Sequence, residues 1–527
     1  DFGDVSGLRL NRDKTEIIAL NNQPVSPAFQ EYLKPFIKIT GICHSSSVNA
    51  NQCRDANFEP AFAKLTNLLR LWKQRNLSLL GRVQIIKTQG IAQFAFLANC
   101  LKIPDTVLKR LNKICYKFIW NGPDRLPRTT VALSVSEGGF KMPLPEDIFK
   151  SSLLRWVNTL QGNTHPWTDF LRLDTNKIGG LNCLQRNTRR LPRTITSPFN
   201  IALFKCFQET TNLAPVCPIS IIHTSLWENP SFKNERRKKL PFGRLAKAGF
   251  CSPWHFCDRD GNLVQTQEAR GRGLPMHLDR EWSAAVRSIE NRLTLPIPRS
   301  GYIRGQIIAN TFDANNQPLL LGKEGLLPHS DFNGANLCRF IAINRKVEPG
   351  KLQRDFADWA GATNQALEES RELVQPLSIC TRMRAFHVRL TSGLLYGNHH
   401  FFKFGHRPSP GCNWCAHIDQ TPEHLLKTCP KVISLRQELA QKYPKLRQLS
   451  SDNWVLGVGL GNSALTFITL MLNYFIYQAN FHYTELSVNR FLDDLNTREK
   501  LERNIAKTKL KSGKHRAKWV EINQLFQ

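Results

Sequence analysis

The chain has 527 residues, too many for one ordinary hydrophobic core, and its length predicts about three to four domains. Hydrophobic residues make up 41% of the chain and charged residues 22%, which excludes wholesale disorder, a small disulfide scaffold and a collagen-like rod. Lys and Arg number 72 against 42 Asp and Glu. Because a formal net charge of +30 repels itself unless a polyanion neutralises it, nucleic acid is the first partner to consider.

The first predicted elements are short strands. Residues 6–20 predict a turn and a strand, with Leu8 and Leu10 alternating before a polar corner. Residues 36–42 form a second β-rich segment after a connector that contains proline. We interpret both as the last strands of a sheet whose earlier strands lie upstream. No secretory leader is expected, because no charged segment followed by an apolar one precedes them.

From residue 58 the spacing of apolar residues follows the helical period. Phe58, Phe62, Leu65, Leu69 and Trp72 lie four, three, four and three residues apart, which predicts one apolar helix face. Residues 83–101 predict another helix, and residues 107–119 a third. The polar side of this third helix carries Lys109, Arg110, Lys113 and Lys117. The prediction is a unit of three to four helices with a basic outer surface.

The remainder of the chain is less regular. Residues 162–350 are rich in Pro, Asn and Gly and predict an irregular connecting region with short elements of its own. Helices are predicted again over 356–373 and 381–395, and a basic helix or tail over 498–518 carries nine Lys or Arg against two Glu. Residues 464–479 contain no charge, but their apolar part is shorter than the ~20 residues that a bilayer requires. We therefore predict a buried helix there.

The sharpest chemical signal is Cys412-x2-Cys415-x8-His424-x4-Cys429. Two cysteines three residues apart on a tight turn can chelate one ion, and a histidine and a cysteine at the two ends of a short helix can supply two further ligands. Three thiolates and one imidazole complete a tetrahedron and leave no position for water. The sequence therefore predicts a structural Zn²⁺ site rather than a hydrolytic one.

Other cysteines and histidines offer alternatives to this assignment. The spacing could arise by chance, and His417, two residues after Cys415, is an alternative ligand. Cys251-x5-Cys257, with His255 between them, lacks a second ligand pair and is predicted to be structural. Fourteen cysteines in 527 residues are too dilute for a disulfide framework and indicate mostly buried thiols in a reducing compartment.

Six motifs follow one another along the chain: SGLRLNRDKTE, IKITGI, WKQRNLSLLGRVQIIKT, KFIWNG, EGGFKMP and CNWCAHIDQTPEHLLKTCP. In this order they resemble the carboxy-terminal part of a LINE-type, non-LTR retrotransposon reverse transcriptase. The resemblance covers residues 1–156 and 384–430, and the region between them matches only in length and style.

The resemblance implies a multidomain, predominantly α protein with a small β remnant of the polymerase palm, a helical thumb, an irregular linker region, a small zinc-binding module and a helical C-terminus. The implied domains are the end of the palm with a primer-grip-like hairpin at 1–57, the helical thumb at 58–160, a variable linker region at 161–350, a helical segment leading into the zinc module at 351–405, the zinc-binding knuckle at 406–432 and a helical, basic C-terminal region at 433–527.

The resemblance also implies roles for individual residues. Lys14 occupies the family's position near the triphosphate, where an ammonium could protonate the departing pyrophosphate, although a solvated turn lysine is the alternative. Ile39 stands at the aromatic position of the family's primer grip. The thumb would hold the template–primer hybrid by backbone charge and shape. The residues predicted to bind nucleic acid are Lys38, Arg75, Arg82, Lys87, Lys109, Lys113, Lys117, Lys403, Arg407 and Trp414.

Polymerisation in this family needs two Mg²⁺ ions held by palm carboxylates in an aromatic-x-Asp-Asp turn. We expect that turn, the rest of the palm and fingers and an amino-terminal endonuclease to lie upstream of Asp1. Mg²⁺ would then belong to the full-length parent, and the chain alone is expected to be inactive. Residues 491–494, FLDD, match the string, but they follow the zinc motif in a charged helical context, and we interpret them as coincidence.

The leading hypothesis is a C-terminal fragment of an RNA-directed DNA polymerase that binds template–primer and target DNA through the thumb and zinc knuckle. Its parent would act in target-primed reverse transcription, in the nucleus, with a cytoplasmic ribonucleoprotein stage and no membrane partner. The zinc module would bind RNA or opened DNA by stacking and phosphate pairing, with His399, His400 and His406 nearby. The alternatives are a stand-alone, domesticated nucleic-acid-binding zinc protein without enzymatic activity, and a pseudogene remnant.

Overall fold

The computed structural model describes residues 2–7, 11–19, 23–46, 50–159, 166–178, 184, 191–213, 225–241, 243–248, 250–258, 262–292, 300–303, 306–309, 320–322, 325–327, 333–345, 347, 350–377, 380–459 and 463–509. This part of the chain is mostly helical and contains little strand, which confirms the predicted predominance of helix with a small β component.

The helices are α1 Phe2–Ser6, α2 Ala50–Lys73, α3 Leu79–Ile85, α4 Ala92–Cys100, α5 Asp105–Trp120, α6 Arg128–Ala132, α7 Pro145–Thr159, α8 Pro166–Lys177, α9 Pro198–Leu213, α10 Arg244–Lys247, α11 Thr266–Gly271, α12 Asp279–Glu290, α13 Gly334–Asn344, α14 Lys351–Trp359, α15 Asn364–Leu377, α16 Thr381–Thr391, α17 Asn398–Lys403, α18 Pro430–Lys442, α19 Ser451–Leu456, α20 Ser463–Phe481 and α21 Val488–Lys509. The strands are β1 Phe36–Ile39, β2 Ile42–Ser45, β3 Ser300–Ile303, β4 Gln306–Ala309, β5 Leu320–Gly322 and β6 Gly325–Leu327, paired in sequence order as three antiparallel hairpins.

The β1–β2 hairpin confirms the β-rich segment predicted at 36–42. Ile39 pairs with Ile42 across a two-residue turn in which Thr40 and Gly41 both have positive φ, at 47° and 91°. This is the turn geometry whose twist suits two antiparallel strands. A Cβ on Gly41 would also lie 3.0 Å from a ring carbon of Phe96. Both the positive φ and this close approach therefore favour glycine at this position.

The strand predicted within residues 6–20 is wrong for its described part. Residues 12–14 form a single helical turn, because the Asn11 side chain accepts a hydrogen bond from the Lys14 N–H at 3.2 Å and draws the backbone away from an extended course. Ile17 makes only an isolated bridge to Leu33. Leu8, Leu10 and Leu20 lie outside the described residues.

The chain divides into two compact units, each discontinuous in sequence. Unit 1 comprises Asp1–Arg70, Gln89–Ile114 and Pro145–Arg345, and unit 2 comprises Leu71–Thr88, Cys115–Leu144 and Lys346–Gln527. The sequential domain boundaries given above stay predictions.

The helical stripes predicted from residue 58 onward are confirmed. Phe58, Phe62, Leu65 and Leu69 of α2 are buried, and Trp72 is half-buried. The Phe62 ring lies edge-on to Phe94 of α4 at 4.9 Å. On α5 one side is buried along its length while its lysines are exposed. The helix predicted over 83–101 is interrupted: α3 passes into a wider helical turn, Ile86–Gly90, before α4 begins.

The region predicted as irregular contains two apolar cores that its composition does not indicate. In one, Leu154 of α7, Phe204 and Phe207 of α9 and Phe340 of α13 are buried together. In the other, Trp282 of α12 packs on Phe256 with ring centroids 4.3 Å apart. Both cores belong to unit 1.

The core of unit 2 is built around α20. Every side chain from 464 to 476 is buried, which confirms the predicted buried helix. Among the described residues, no helix combines the length and the apolarity needed to cross a membrane.

The helices predicted over 356–373 and 381–395 are interrupted where the backbone passes close to a neighbour. A break between α14 and α15 contains Gly361 at φ +60°, where a Cβ would lie 2.4 Å from an Asp452 carboxylate oxygen. Helix α16 ends before Gly393, whose added Cβ would lie 2.0 Å from the Leu352 carbonyl oxygen. Helix α21 forms the first part of the predicted basic segment and reaches Lys509, and residues 510–518 lie outside the described residues.

Candidate metal centre

The first two predicted ligands lie in a loop closed by two backbone hydrogen bonds. The Gln420 N–H donates to the Pro410 carbonyl at 2.8 Å, and the Cys412 N–H donates to the His417 carbonyl at 2.9 Å. Cys412 and Cys415 are half-buried within it. The loop geometry is therefore set locally, by bonds inside the same short segment.

The other two ligands lie at the ends of a short helical turn, as predicted. The Thr421 hydroxyl accepts a hydrogen bond from the His424 N–H at 3.1 Å and begins the turn. The Cys429 N–H then donates to the His424 carbonyl at 2.9 Å, which closes a turn wider than an α-helical one. Both ligands are buried, and Cys429 immediately precedes Pro430, the first residue of α18.

The four ligand atoms converge. All lie within 4.8 Å of one another, with Cys412 Sγ 3.9 Å from Cys429 Sγ and Cys415 Sγ 3.3 Å from His424 Nε2. A tetrahedral Zn²⁺ with usual bond lengths places two sulfur ligands about 3.8 Å apart and a sulfur and a nitrogen about 3.6 Å apart. The cluster could therefore hold a metal ion, and its ligand set is compatible with structural zinc.

Hydrogen-bond donors surround the Cys412 sulfur. The hydrogen bond from Cys429 lowers the pKa of the Cys412 thiol, and the Trp414 and Cys415 N–H groups and the Gln420 amide act in the same direction against the opposing effect of burial. The same contact with Cys412 raises the pKa of the Cys429 thiol, and burial adds to that effect. Because a thiolate is the metal-binding form of cysteine, the Trp414 and Cys415 N–H groups and the Gln420 amide are the donors that favour the state that a cation requires.

Gln420 is a residue that sequence reasoning missed. It is fully buried; its Nε2 donates to Cys412 Sγ at 3.3 Å, and its Oε1 accepts from the Asn398 N–H at 3.3 Å. A Cβ on Gly397 would lie 2.1 Å from the Gln420 carbonyl oxygen, so this approach requires glycine. The spacing of the ligands gives no signal for the contact between Gln420 and Asn398, because these two residues lie 22 positions apart in sequence.

Three asparagines connect the ligand loop to two helices of unit 2. Asn398, the first residue of α17, donates to the Gly411 carbonyl at 2.8 Å and to the Asn413 side-chain oxygen at 3.0 Å. Asn413 donates to the Asn480 side chain near the end of α20 at 2.8 Å, and Asn480 donates back to Asn398 at 3.3 Å. This closed triangle fixes the loop independently of the metal ligands.

Two of the predicted nucleic-acid residues also join the loop region to the end of α20. Arg407 donates to the Asn480 and Phe481 carbonyls at 2.9 and 3.1 Å, and the Trp414 indole N–H donates to the Thr484 carbonyl at 3.0 Å. Both side chains are half-buried, whereas Lys403 is exposed.

The three histidines near the module differ in their surroundings. His399 pairs with the Asp419 carboxylate, and His406 is exposed. His400 is half-buried, and burial lowers its pKa, with His399 and Lys403 adding to the effect.

The alternative ligands do not converge with the four. The His417 ring stacks on His424 with centroids 4.2 Å apart, but among the described residues the candidate metal group consists of the four predicted ligands. Cys251 and Cys257 are buried, and each sulfur lies against a backbone carbonyl, at 3.6 and 3.5 Å. His255 contacts the Ser252 hydroxyl at 2.9 Å. These contacts fit the structural role predicted for Cys251 and Cys257.

The cations predicted to bind nucleic acid in the palm and thumb segments are mostly solvent-accessible. Lys109, Lys113 and Lys117 form an exposed row on α5, four residues apart. Exposed positions are also occupied by Lys38 on β1, by Arg75 and by Lys87. Arg82 differs: it is half-buried and donates to the Ile119 carbonyl at 3.3 Å, and its pKa is lowered by burial and then by Arg389 and Arg125.

Lys14 and the FLDD string at 491–494 are the two sequence features that were considered for catalysis. Lys14 is exposed at the end of the helical turn 12–14. On α21, Phe491 is buried in the core and Asp494 forms an ion pair with Arg498 at 3.0 Å. The interpretation of FLDD as coincidence stays a prediction. The chain matches no protein-family model.

Proposed function

We propose that this chain is the carboxy-terminal part of a LINE-type reverse transcriptase and that it binds nucleic acid through basic helices and a zinc-stabilised module. The observation that carries the proposal is the convergence of Cys412, Cys415, His424 and Cys429 within the last of six motifs that occur in the family's order. The net charge of +30 supports a polyanionic partner.

Zinc in this module has a structural role. Four protein ligands complete a tetrahedron, so no coordination position is open to water or substrate. Metal binding supplies part of the folding free energy of the module, in addition to the asparagine hydrogen bonds that hold its loop.

The nucleic acids are the template–primer hybrid and the target DNA of the parent enzyme. The exposed row Lys109, Lys113 and Lys117 repeats at about 6 Å per helical turn and can face several phosphates. Polymerisation, with its two Mg²⁺ ions, belongs to palm carboxylates upstream, and the parent acts in target-primed reverse transcription. We place the protein in the nucleus, with a cytoplasmic ribonucleoprotein stage.

The salt dependence of binding tests this proposal. We expect the affinity of the full chain for an RNA–DNA hybrid to fall steeply with salt, because each phosphate contact releases counterions. Replacing Lys109, Lys113 and Lys117 together by Gln removes up to three contacts and reduces the slope of log K against log salt by about 2–3.

A triple variant of exposed lysines elsewhere, Lys205, Lys442 and Lys445 to Gln, is the matched control and is expected to leave the slope near the wild-type value. A wild-type affinity that does not change with salt, or no binding at low ionic strength, contradicts the proposal. Equal slopes for the wild type and the α5 variant refute the assignment of α5.

A further inference from the structure

Four aromatic rings of unit 2 are in contact near the metal module, and Tyr483 lies two residues after the last of them; together they are here called the aromatic surface: Tyr396, Phe401, Phe404, Phe481 and Tyr483. The Tyr396 ring lies 5.4 Å from Phe404 and 6.3 Å from Phe401, and Phe401 lies 6.2 Å from Phe481. Three of the rings are half-exposed or more: Phe404 at 52%, Phe481 at 52% and Tyr483 at 62%. Large rings exposed side by side indicate a binding surface more often than scattered ones do.

The surface is cationic. The Arg407 guanidinium lies 3.6 Å from the centre of the Tyr483 ring, which continues the row of rings with a positive charge, and Lys403 is exposed between Phe402 and Phe404. Residues 396–416, which supply three of the five rings, contain Lys403 and Arg407 and no Asp or Glu, whereas the exposed Glu485 follows Tyr483 by two residues. The nearby carboxylate of Asp419 is paired with His399. The complementary ligand is therefore anionic and offers flat groups that can stack.

The backbone of Tyr483 adds an independent observation. Its φ is +55°, in the left-handed region that bulky residues rarely adopt. The Thr484 N–H donates to the Ala479 carbonyl at 2.9 Å, so Tyr483 occupies the position after a helix end where glycine is the usual residue. A strained and exposed tyrosine points to a role for its side chain, because backbone strain of this kind concentrates at functional sites.

We propose that the aromatic surface binds an unpaired polynucleotide strand. The bases stack on Phe404, Phe481 and Tyr483, and the phosphates face the exposed Lys403, while Arg407 holds the Tyr483 ring and adds positive charge behind it. A duplex cannot use this surface, because its bases are stacked on one another and do not present their faces. Stacking does not read the sugar, so single-stranded RNA and DNA bind alike. The inference rests on the proposed function and names the ligand class of the zinc module's surface.

The experiment compares single strands with a hybrid duplex on the full, zinc-loaded chain. Fluorescence anisotropy with oligo(dT), oligo(U) and an RNA–DNA hybrid is measured for the wild type, Tyr483→Gly and Phe404→Leu. Each variant is expected to bind both single strands about 10-fold more weakly and the hybrid within about twofold of the wild type. Phe170→Leu, at a phenylalanine of unit 1 that is 72% exposed, is the matched control and should leave all three affinities unchanged.

Tyr483→Gly also separates binding from folding. Glycine accepts φ +55° without strain, so the thermal midpoint of this variant is expected to stay equal or to rise while single-strand affinity falls. A structural role for the Tyr483 ring, through its contact with Arg407, predicts the opposite change in the midpoint.

Each outcome bears on a different statement. If the wild type binds single strands and both variants bind them equally well, the aromatic surface is not their site, although the nucleic-acid function stands. If the wild type binds neither single strands nor the hybrid, the proposed function fails and this inference fails with it. Two further assays test whether the surface binds a membrane or a second copy of the chain: binding to phosphatidylserine vesicles and sedimentation. If the wild type binds vesicles or self-associates, and the variants lose this property but keep their affinity for oligonucleotides, the inference is overturned.

Discussion

Gln420 offers the sharpest single-residue test of the metal centre. Replacing it with Leu keeps its approximate size but removes the amide that donates to Cys412 Sγ at 3.3 Å and accepts from the Asn398 N–H at 3.3 Å. Because Gln420 is fully buried, water cannot replace either hydrogen bond without repacking.

The expected magnitude follows from these two bonds. Leaving the buried N–H of Asn398 without an acceptor costs about 1–3 kcal/mol of folding free energy. Losing a donor to a ligand atom weakens metal affinity by about 10–100-fold, as for other residues that contact metal ligands. Gln420→Glu is expected to be worse for the metal, because it places a carboxylate oxygen beside the thiolate and removes the amide donor.

The assay is competition for Zn²⁺ between the protein and a chromogenic chelator, with urea unfolding of the same samples. Gln448→Leu, at an exposed glutamine of unit 2, is the control for a change from amide to leucine. If Gln420→Leu binds zinc as tightly as Gln448→Leu does, the amide does not support the centre and the argument from its hydrogen bonds is wrong.

Three further changes have defined outcomes. Cys429→Ser should lose the bound zinc in native mass spectrometry, whereas Cys100→Ser, at an exposed cysteine, should retain it; retention of one zinc per chain in both variants refutes the ligand assignment. Gly397→Ala should cost about 1–3 kcal/mol in urea unfolding, because its Cβ would lie 2.1 Å from a backbone oxygen, while Gly122→Ala, with open space around it, should not. Burial, followed by the charge of Arg371, lowers the pKa of His387 to about 3, so the folded protein keeps it neutral while the unfolded chain is protonated below about pH 6.5. The free energy of unfolding should therefore fall as the pH is lowered from about 6.5 to about 3, by up to about 1.4 kcal/mol per pH unit. The fall should be shallower in His387→Gln.

Features set by nearby residues could be predicted from the sequence. Phe58, Phe62, Leu65 and Leu69 are buried on one helix face, as their spacing predicts. This prediction needs no knowledge of the residues that pack against the face, because any apolar neighbour can bury it. The metal ligands converge because all four fall within one loop and one turn, whose hydrogen bonds are local.

Features set by distant partners could not be predicted. Asn413 and Asn480 are bonded across 67 residues, and nothing in either local sequence indicates the other. Tyr483 occupies a left-handed position after a helix end where glycine is usual, so the sequence does not indicate its conformation. The strand predicted within residues 6–20 does not form over the described residues 11–19, where the Asn11 side chain accepts a hydrogen bond from the Lys14 N–H and stabilises a helical turn at residues 12–14.

X-ray absorption at the zinc edge of the purified full chain tests the centre most directly. Three sulfur atoms at about 2.3 Å and one nitrogen at about 2.0 Å, with no water ligand, are the coordination that Cys412, Cys415, His424 and Cys429 should give. A spectrum dominated by oxygen ligands, or a chain that retains no zinc after purification without chelators, would contradict it.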